Sequence, residues 1–459
     1  MLRRRFLKLA GLGALNFSLN NSMCLGEKRK PQLNIIYIMA DDLGYGHLGC
    51  YGQKEIKTPN IDRMAEEGMR FTNHYAGSAL CAPSRCVLMT GLHTGHCFIR
   101  NNKRLPVEGN VPIPADSQTI GKTLQRGGYT TGAIGKWGLG YPGSEGDPVK
   151  QGFDHFFGYN CQRQAHSYYP THLWRNDKKV MLQGNADGRQ QEYSHDLLTA
   201  EALEFIRVNH TRPFFLYVPY TIPHAAFQVP DLDIYSDKPW SPVKKAIAAM
   251  VTRMDRDVGR IVELLKELRI DRQTLVIFTS DNGSAGGELL KAFNGSGVLH
   301  GQKGTLYEGG IRSPMVARWP GNITPGTVTD HVCGFQDMLV TFADLGQAAI
   351  EKETDGISIM PTLLGKHDQK KHAYLYWELK DNQAVRMGKW KAVKTKGKIE
   401  LFNLQQDVSE KHNVAGQHPD VVAKIAGIME TAHKDSGFFT WKYEGPIPEK
   451  KKTGKLKNP

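Results

Sequence analysis

Four apolar stretches of the chain each lead into a group of polar residues. Continuous apolar runs of this length are typical of strands that are buried on both faces of a parallel sheet. The carboxyl ends of parallel strands lie at one edge of the sheet, where ligand sites of α/β proteins form. The pattern therefore predicts that the polar groups meet in one site. The runs and the residues that follow them are 33–40 with Asp41 and Asp42, 130–134 with Gly135 and Lys136, 214–218 with His224, and 275–280 with Asp281 and Asn282.

Between these runs the apolar positions recur with helical spacing. The alternation of strand and helix predicts an α/β fold with a mainly parallel sheet flanked by helices. The predicted helices are 60–68, 119–127, 194–209 and 244–268.

After about residue 370 the pattern changes to short alternating segments separated by Gly and Asn turns. Such segments are typical of a small antiparallel sheet. We therefore expect a large domain over residues 32–370, a smaller subdomain of antiparallel sheet plus helix over residues 371–440, and a basic, flexible tail over residues 441–459. The predicted strands are 373–378, 384–387, 390–394 and 400–403, and the predicted helix is 420–434.

Residues 1–26 resemble a secretory signal of the twin-arginine type. Arg3 and Arg4 precede an apolar run over residues 9–19, which is too short to cross a bilayer. A basic amphipathic helix at a membrane surface is the alternative, and Cys24 leaves lipoprotein attachment open. The signal predicts a bacterial protein that is periplasmic or secreted, without stable membrane insertion.

The charge of the chain suits an anionic substrate better than nucleic acid. The formal net charge is +13, but nine Lys and Arg residues lie in residues 1–8 and 450–459, which leaves about +4 for the rest. No nucleic acid partner is predicted from so small an excess. The 40% apolar composition suits a globular core, and the seven irregularly spaced cysteines do not suggest a disulfide scaffold.

The polar residues after the first and last runs are hard oxygen donors. Asp41, Asp42, Asp281 and Asn282 have no Cys/His pair beside them, which favours Ca²⁺ or Mg²⁺ over zinc. Three carboxylates in one pocket repel one another, and a cation keeps them all ionised. The Asp-Asp and Asp-Asn-Gly segments, each taken alone, are also typical of capping turns. Together, after two apolar strands, they predict a site for one divalent metal ion.

The pentapeptide from Cys81 to Arg85, Cys-Ala-Pro-Ser-Arg, pairs a nucleophile precursor with a fixed turn and a permanent cation. It resembles the signature of type I sulfatases, in which a dedicated enzyme oxidises the cysteine to formylglycine. Further matches follow in order, so the chain from residue 34 to about residue 415 is similar to the arylsulfatase-like family of the alkaline phosphatase superfamily. These matches are residues 34–46, 135–137, 280–283 and 304–312.

The resemblance implies an alkaline-phosphatase-like fold whose catalytic domain is residues 32–370. It also implies formylglycine at position 81, one bound Ca²⁺ ion, and a formylglycine-generating enzyme as a partner during maturation. One hydroxyl of the hydrated aldehyde would attack sulfur with help from the metal and Arg85, and the other would let the aldehyde re-form and expel sulfate. The implied metal ligands are Asp41, Asp42, Cys81, Asp281 and Asn282.

Three cationic residues match family positions that hold sulfate oxygens and protonate the leaving oxygen, namely Lys136, His224 and Lys303. Many sulfatases carry His two residues after the signature Lys, whereas this chain has Gly138. We predict that His166 replaces that His as a proton acceptor during sulfate release. The alternative is that His166 binds substrate or caps a turn.

Tyr168, Trp174 and Arg175 predict a carbohydrate subsite, because aromatic faces stack on sugars and Arg binds acidic groups. Core packing of the aromatic rings is the alternative. The sequence thus predicts an exported, calcium-dependent sulfatase for sulfated small molecules or saccharides. The alternatives are a phosphomonoester or phosphonate ester hydrolase on the same scaffold and a non-catalytic glycan-binding protein. The order of maturation is predicted to be oxidation and folding in the cytoplasm, then twin-arginine export.

Overall fold

The computed structural model describes residues 33–105 and 108–439. The predicted signal at residues 1–26 and the predicted tail at residues 441–459 lie outside the described residues. Within the described part of the chain, none of the helices is long and apolar enough to cross a membrane.

The strands form one large mixed sheet, one antiparallel sheet of four strands and two small pairs. The large sheet has the order β13-β2-β12-β11-β1-β10-β6-β7-β8-β9. The strands are β1 (Asn34–Ala40), β2 (Met69–Phe71), β3 (His74–Tyr75), β4 (Arg104–Leu105), β5 (Gly109–Asn110), β6 (Thr130–Lys136), β7 (His155–Tyr159), β8 (His172–Arg175), β9 (Lys178–Met181), β10 (Phe214–Pro219), β11 (Thr274–Ser280), β12 (Met315–Arg318), β13 (Thr327–Thr329), β14 (Cys333–Gly334), β15 (Leu375–Leu379), β16 (Asn382–Met387), β17 (Trp390–Thr395) and β18 (Lys398–Asn403).

The centre of the large sheet is parallel, from β11 through β1, β10 and β6 to β7. All seven residues of β1 are buried, because helices cover both faces of the sheet. Ile36 and Ile38 pack in one apolar cluster, and Ile35 and Tyr37 pack in another on the opposite face. The predicted α/β class with a mainly parallel sheet is confirmed.

Helices α4 and α5 contribute to the first of these clusters, and α2, α3 and α8 contribute to the second. Helix α5 begins two residues earlier than predicted, because the side chain of Ser241 caps it and Pro242 occupies its first turn. The helices are α1 (Pro59–Glu66), α2 (Cys81–Thr90), α3 (Ile120–Arg126), α4 (Ser194–Asn209), α5 (Pro242–Glu267), α6 (Glu288–Ala292), α7 (Glu308–Ile311), α8 (Gln336–Gly346), α9 (Met360–Leu363) and α10 (Pro419–Thr431).

The C-terminal strands β15 to β18 form an antiparallel meander, as predicted. One face of this sheet packs on α10 through Ile425 and Met429. The other face packs against the rest of the protein through Trp377 and Phe402, in a cluster that includes Tyr75 and Ile311. The small sheet is therefore attached to the segment that includes α7.

Candidate active site

The loops after β1 and β11 meet because these strands are parallel neighbours with Ala40 opposite Ser280. The backbone N–H of Asp42 donates to Oδ1 of Asp281 at 3.1 Å. The amide Nδ2 of Asn282 donates to Oδ1 of Asp42 at 2.9 Å. The structure thus brings the four predicted oxygen donors into one buried cluster.

Cys81 is the first residue of α2, and its side chain points into this cluster. Its Sγ lies 3.5 Å from Oδ1 of Asp41 and 3.9 Å from Oδ1 of Asp42. Burial raises the pKa of the Cys81 thiol to about 12, against the opposing attraction of Lys136 and Lys303. The cysteine is therefore a thiol at neutral pH rather than a reactive thiolate.

The first turn of α2 is anchored by side chains whose roles the sequence did not predict. The backbone N–H of Ala82 donates to Oδ1 of Asn102 at 3.0 Å. The hydroxyl of Ser84 donates to the backbone carbonyl of Asp281 at 2.5 Å. Asn102 lies in a loop with no motif around it, so no sequence signal identifies it. These contacts fix the first turn of α2 relative to the loop after β11 and to the loop that carries Asn102.

Arg85 is fully buried and connects three elements of the site. Its Nη2 donates to Oδ2 of Asp281 at 2.7 Å, and its Nη1 donates to the carbonyl of Lys136 at 2.5 Å. A guanidinium in this geometry joins α2 to the ends of β11 and β6. The structure therefore places Arg85 behind the carboxylates, where it orients them.

Two lysines pair with the two aspartates that follow β1. Nζ of Lys136 lies 2.5 Å from Oδ2 of Asp41, and both side chains are completely buried. Nζ of Lys303 lies 2.6 Å from Oδ1 of Asp42 and 3.2 Å from Sγ of Cys81. The two predicted cations thus lie beside the predicted nucleophile precursor.

His224 lies on the loop after β10 and faces the same cluster. Its Nε2 is 3.5 Å from Oδ2 of Asp42. The ring of His166 stacks on the ring of His224, with centroids 4.1 Å apart and planes at 14°. Burial, His224 and Lys136 lower the pKa of His166 to about 3, so His166 is neutral at ordinary pH. The structure therefore brings both predicted histidines together.

Tyr168 is packed inside the protein and does not face a substrate subsite. It is fully buried, and its hydroxyl contacts the carbonyls of Thr221 at 2.9 Å and of His224 at 2.5 Å. A ring without solvent exposure cannot stack on a sugar, so the prediction that Tyr168 contacts substrate is wrong. Its hydroxyl instead supports the loop that carries His224.

Trp174 and Arg175 lie on β8 and contact residues outside the cluster. The Trp174 ring lies under Nζ of Lys179, 5.3 Å from the ring centroid. Nη2 of Arg175 pairs with Oε2 of Glu201 at 2.6 Å. Both side chains are partly exposed, and their predicted contact with substrate stays a prediction.

A His at position 138 would be strained in this backbone conformation and would displace the side chain of Gln162. The φ of Gly138 is +80°, in the left-handed region that favours glycine. A Cβ at this position would lie 2.7 Å from Cγ and 2.8 Å from Nε2 of Gln162. The side chain of Gln162 therefore occupies the space beside Gly138, which the sequence did not predict.

The charges of the site are strongly coupled. Burial by itself would raise the pKa of Asp41, but Lys136, His224 and Arg85 hold that pKa well below its usual range. Burial and the charge of Asp41 raise the pKa of Asp281 to about 6, despite the opposing Arg85. The third carboxylate is thus ionised at a cost that an added cation would lower.

The donor set fits a divalent cation that prefers oxygen. One ligand atom from each of Asp41, Asp42, Cys81 and Asp281 lies within 4.8 Å of the other three. Oδ1 of Asn282 is buried and has no hydrogen-bond partner among the described residues. A buried amide oxygen without a donor is unfavourable unless a cation or water binds it. The cluster therefore has the composition of a Ca²⁺ or Mg²⁺ site.

The fold and this cluster define a hydrolase of the alkaline phosphatase superfamily, with its site at the carboxyl ends of the central strands. Two family models match the chain: Sulfatase over residues 33–364 and the C-terminal model of N-sulphoglucosamine sulphohydrolase over residues 300–435. The chain belongs to the sulfatase family and is a type I sulfatase, a sulfuric ester hydrolase.

Relatives of known name agree with this assignment. N-acetylgalactosamine-6-sulfatase of Rattus norvegicus is 33% identical over 390 residues, which cover 78% of this chain and 71% of that protein. Arylsulfatase A of Homo sapiens is 32% identical over 463 residues, which cover 85% of this chain and 86% of that protein. The crystal structure of Ps i-CgsB is 32% identical, with a TM-score of 0.78 and coverage of 89% of this chain and 95% of that chain. A further structure of Ps i-CgsB is a complex with k-i-k-neocarrahexaose.

Proposed function

We propose that this sulfatase hydrolyses sulfate monoesters of a saccharide. The observation that carries the proposal is the position of Cys81, whose Sγ lies 3.2 Å from Nζ of Lys303 and 3.5 Å from Oδ1 of Asp41. The saccharide class is supported by the names of the relatives, which include N-acetylgalactosamine-6-sulfatase and a protein solved in complex with k-i-k-neocarrahexaose.

The proposed cofactors are one Ca²⁺ ion and a formylglycine made from Cys81 by a formylglycine-generating enzyme. The unpaired Oδ1 of Asn282 and the clustered carboxylates support the metal. The proposed ligands are Asp41, Asp42, Asp281 and Asn282 with residue 81. When bound, Ca²⁺ would supply Lewis acidity toward a sulfate oxygen, and the hydrated aldehyde would supply a nucleophile that can later release sulfate.

The remaining residues of the site divide into orienting and proton-transferring groups. Arg85 holds the carboxylate of Asp281, which would keep this proposed ligand oriented toward a bound metal ion. Lys136 and Lys303 are proposed to bind the oxygens of the sulfate group. His224 is proposed to protonate the leaving oxygen, on which negative charge develops as the S–O bond breaks.

His166 is proposed as the proton acceptor that replaces the family His at Gly138. Its support is the ring contact with His224, which places His166 beside the cluster. His166→Ala should then let sulfated enzyme accumulate during turnover, which intact mass spectrometry measures. An unchanged rate with no accumulated adduct would reject this role.

A phosphomonoesterase or phosphonate ester hydrolase remains the alternative reaction on this scaffold. Phosphatases of this superfamily usually use further His and Asp ligands for a second metal. Among the described residues, the other potential ligand group is His93, His96 and Asp355, which shares no residue with the cluster at Cys81. A non-catalytic glycan-binding role would require an unmodified thiol at position 81.

Trp174 and Arg175 are proposed to contact the saccharide beyond the sulfate group.

Export by the twin-arginine route is part of the proposal and rests on the Arg3-Arg4 sequence alone. Because the twin-arginine route carries folded proteins, oxidation of Cys81 would precede export. Mature periplasmic protein in which Cys81 was converted only after translocation would contradict this order.

The decisive experiment combines mass analysis with paired substrates. The peptide that contains residue 81 should have the mass of formylglycine, and 4-nitrophenyl sulfate should be hydrolysed far faster than 4-nitrophenyl phosphate. Cys81→Ala should abolish turnover. Full activity in Cys81→Ala, or a preference for the phosphate ester, would overturn the proposed function.

A further inference from the structure

A cavity of about 780 Å³ lies between an edge of the large sheet and the small C-terminal sheet. Its walls include the turn after β2, the residues after β13, the segment 362–375 and the end of β16. No residue of the cluster around Cys81 lines it. The cavity is therefore separate from the candidate active site.

The walls of this cavity carry a strong excess of positive charge. Among the described residues that line the cavity, one is acidic, Asp330. A concave surface with one sign of charge concentrates counter-ions of the opposite sign. The cavity therefore favours an anionic ligand. We call it the basic cavity. The Lys and Arg residues that line it are Arg312, Lys366, Lys371, Arg386 and Lys389.

Two of these cations are buried in the cavity wall rather than solvated. Arg312 is 8% exposed and Arg386 is 7% exposed. Nε of Arg312 donates to the carbonyl of Thr72 at 2.7 Å, and Nη1 of Arg386 donates to Oδ1 of Asn73 at 3.1 Å. These bonds fix the guanidinium groups in place, as expected for a formed site and not for surface side chains.

Each of the two arginines has one guanidinium nitrogen that forms no hydrogen bond with a described residue. The Nη2 groups of Arg312 and Arg386 have no hydrogen-bond partner among the described residues, and neither is sealed from solvent. Tyr75 and Glu308 connect the two side chains, since the Tyr75 hydroxyl contacts Nη1 of Arg386 and donates to Glu308, which pairs with Arg312. Two fixed guanidinium groups with free N–H donors suit the oxygens of a sulfate or carboxylate.

The neutral lining suits a sugar more than a bare inorganic anion. The amide of Gln405 matches sugar hydroxyls, and the partly exposed ring of Tyr374 offers an amphipathic surface. Thr362 and Gln369 hydrogen-bond to each other and shape the wall between them. The side chains of Lys366 and Lys371 are exposed and form no hydrogen bond or ion pair with any described residue. They are free to contact further charges of an extended ligand.

We propose that the basic cavity binds an anionic segment of a sulfated saccharide, apart from the ester that is hydrolysed. The anionic class of the ligand rests on the cavity itself, and the saccharide class rests on the proposed function. Such a site would hold a polymeric substrate while the active site acts on another of its sulfate groups. It would have no effect on a small aryl sulfate.

The test measures binding of a fluorescent sulfated dextran oligosaccharide to the full-length protein. The double variant Lys366→Ala/Lys371→Ala should bind it about three- to tenfold more weakly than the wild type, because each partly solvated ion pair contributes modestly. The control variant Lys238→Ala/Lys424→Ala removes two exposed lysines that lie outside the cavity. The control should bind like the wild type, and both variants should keep wild-type turnover of 4-nitrophenyl sulfate.

Two outcomes would overturn the proposal. Equal affinities of the two double variants would show that the basic cavity is not the binding site. Competition by double-stranded DNA as effective as that by unlabelled sulfated dextran would reject the saccharide as ligand. Lys371→Glu should weaken binding more than Lys371→Ala, which tests the cavity with a single exposed change. A wild type that lacks sulfatase activity would reject the proposed function but leave this binding test valid.

Discussion

Tyr168→Phe tests whether the Tyr168 hydroxyl positions His224 for catalysis. One hydroxyl has one proton, so it donates to either the Thr221 or the His224 carbonyl. The Thr221 carbonyl also accepts the backbone N–H of His224 at 3.3 Å, whereas no other donor among the described residues reaches the His224 carbonyl. The substitution leaves that carbonyl unpaired, which costs about 1 to 3 kcal/mol. The loop that carries His224 should therefore be less firmly held.

The expected defect depends on the leaving group of the substrate. A displacement of about 1 Å in a catalytic group can lower a rate by about 100-fold. We expect kcat of Tyr168→Phe to fall about 10- to 100-fold on an alkyl or sugar sulfate, which needs a proton donor. The fall on 4-nitrophenyl sulfate should be less than about threefold, because that leaving group needs little protonation.

Tyr129→Phe is the matched control. Its hydroxyl also donates to a backbone carbonyl in a part-buried hydrogen bond, that of Leu33 at 2.7 Å, but at the opposite end of β1. Both variants should lose similar stability in urea denaturation, and only Tyr168→Phe should change the ratio of the two rates. If Tyr168→Phe loses stability while the ratio of rates stays at the wild-type value, the positioning role is refuted.

Three further predictions concern Glu410 and the proposed metal site. Burial raises the pKa of Glu410 from 4.5 to about 7, with Lys391 opposing the shift and Glu308 adding to it. The stability contributed by protonated Glu410 is lost as the pH rises through 7. The free energy of unfolding of Glu410→Gln, measured in urea, should therefore increase relative to that of the wild type by roughly 2 to 3 kcal/mol between pH 5 and 8. Parallel pH profiles of the two proteins would contradict this. Asn282→Ala should raise the Ca²⁺ concentration needed for half-maximal thermal stabilisation by about tenfold or more, and an unchanged midpoint would exclude Asn282 as a ligand. Chelation should abolish turnover and weaken the binding of inorganic sulfate, measured by calorimetry on the chelated protein. An unchanged dissociation constant for sulfate would separate anion binding from the metal.

The central strands could be predicted because their burial is complete. Every residue of β1, β10 and β11 is buried, so each strand is a continuous apolar run in the sequence. The strands β2 and β13 have only three residues each and include exposed or half-buried positions. Short segments of this kind have no apolar pattern that separates them from loops, and their place in the sheet depends on pairing with distant strands.

The site was predicted as far as the polar residues follow strands directly. Asp41, Asp281 and Lys136 lie at strand ends, so the sheet alone brings them together. Tyr168 could not be assigned this way, because an aromatic residue in a loop has the same sequence signal whether it stacks on a ligand or packs in the core. Gln162 was missed for a similar reason, since its contact with Gly138 exists only in the folded chain.

The balance of charge explains why sulfate binding should depend on the metal. The carboxylates of Asp41, Asp42 and Asp281 face the cations Arg85, Lys136 and Lys303, and every one of these cations is paired with a carboxylate. Three negative and three positive charges cancel, so the protein alone provides little net attraction for an anion in this pocket. A divalent cation adds two positive charges and competes for the same carboxylates, which would release Lys136 and Lys303 to contact sulfate oxygens. Anion affinity and metal occupancy are therefore coupled through the same pairs, and neither lysine can be assigned to substrate binding independently of the metal.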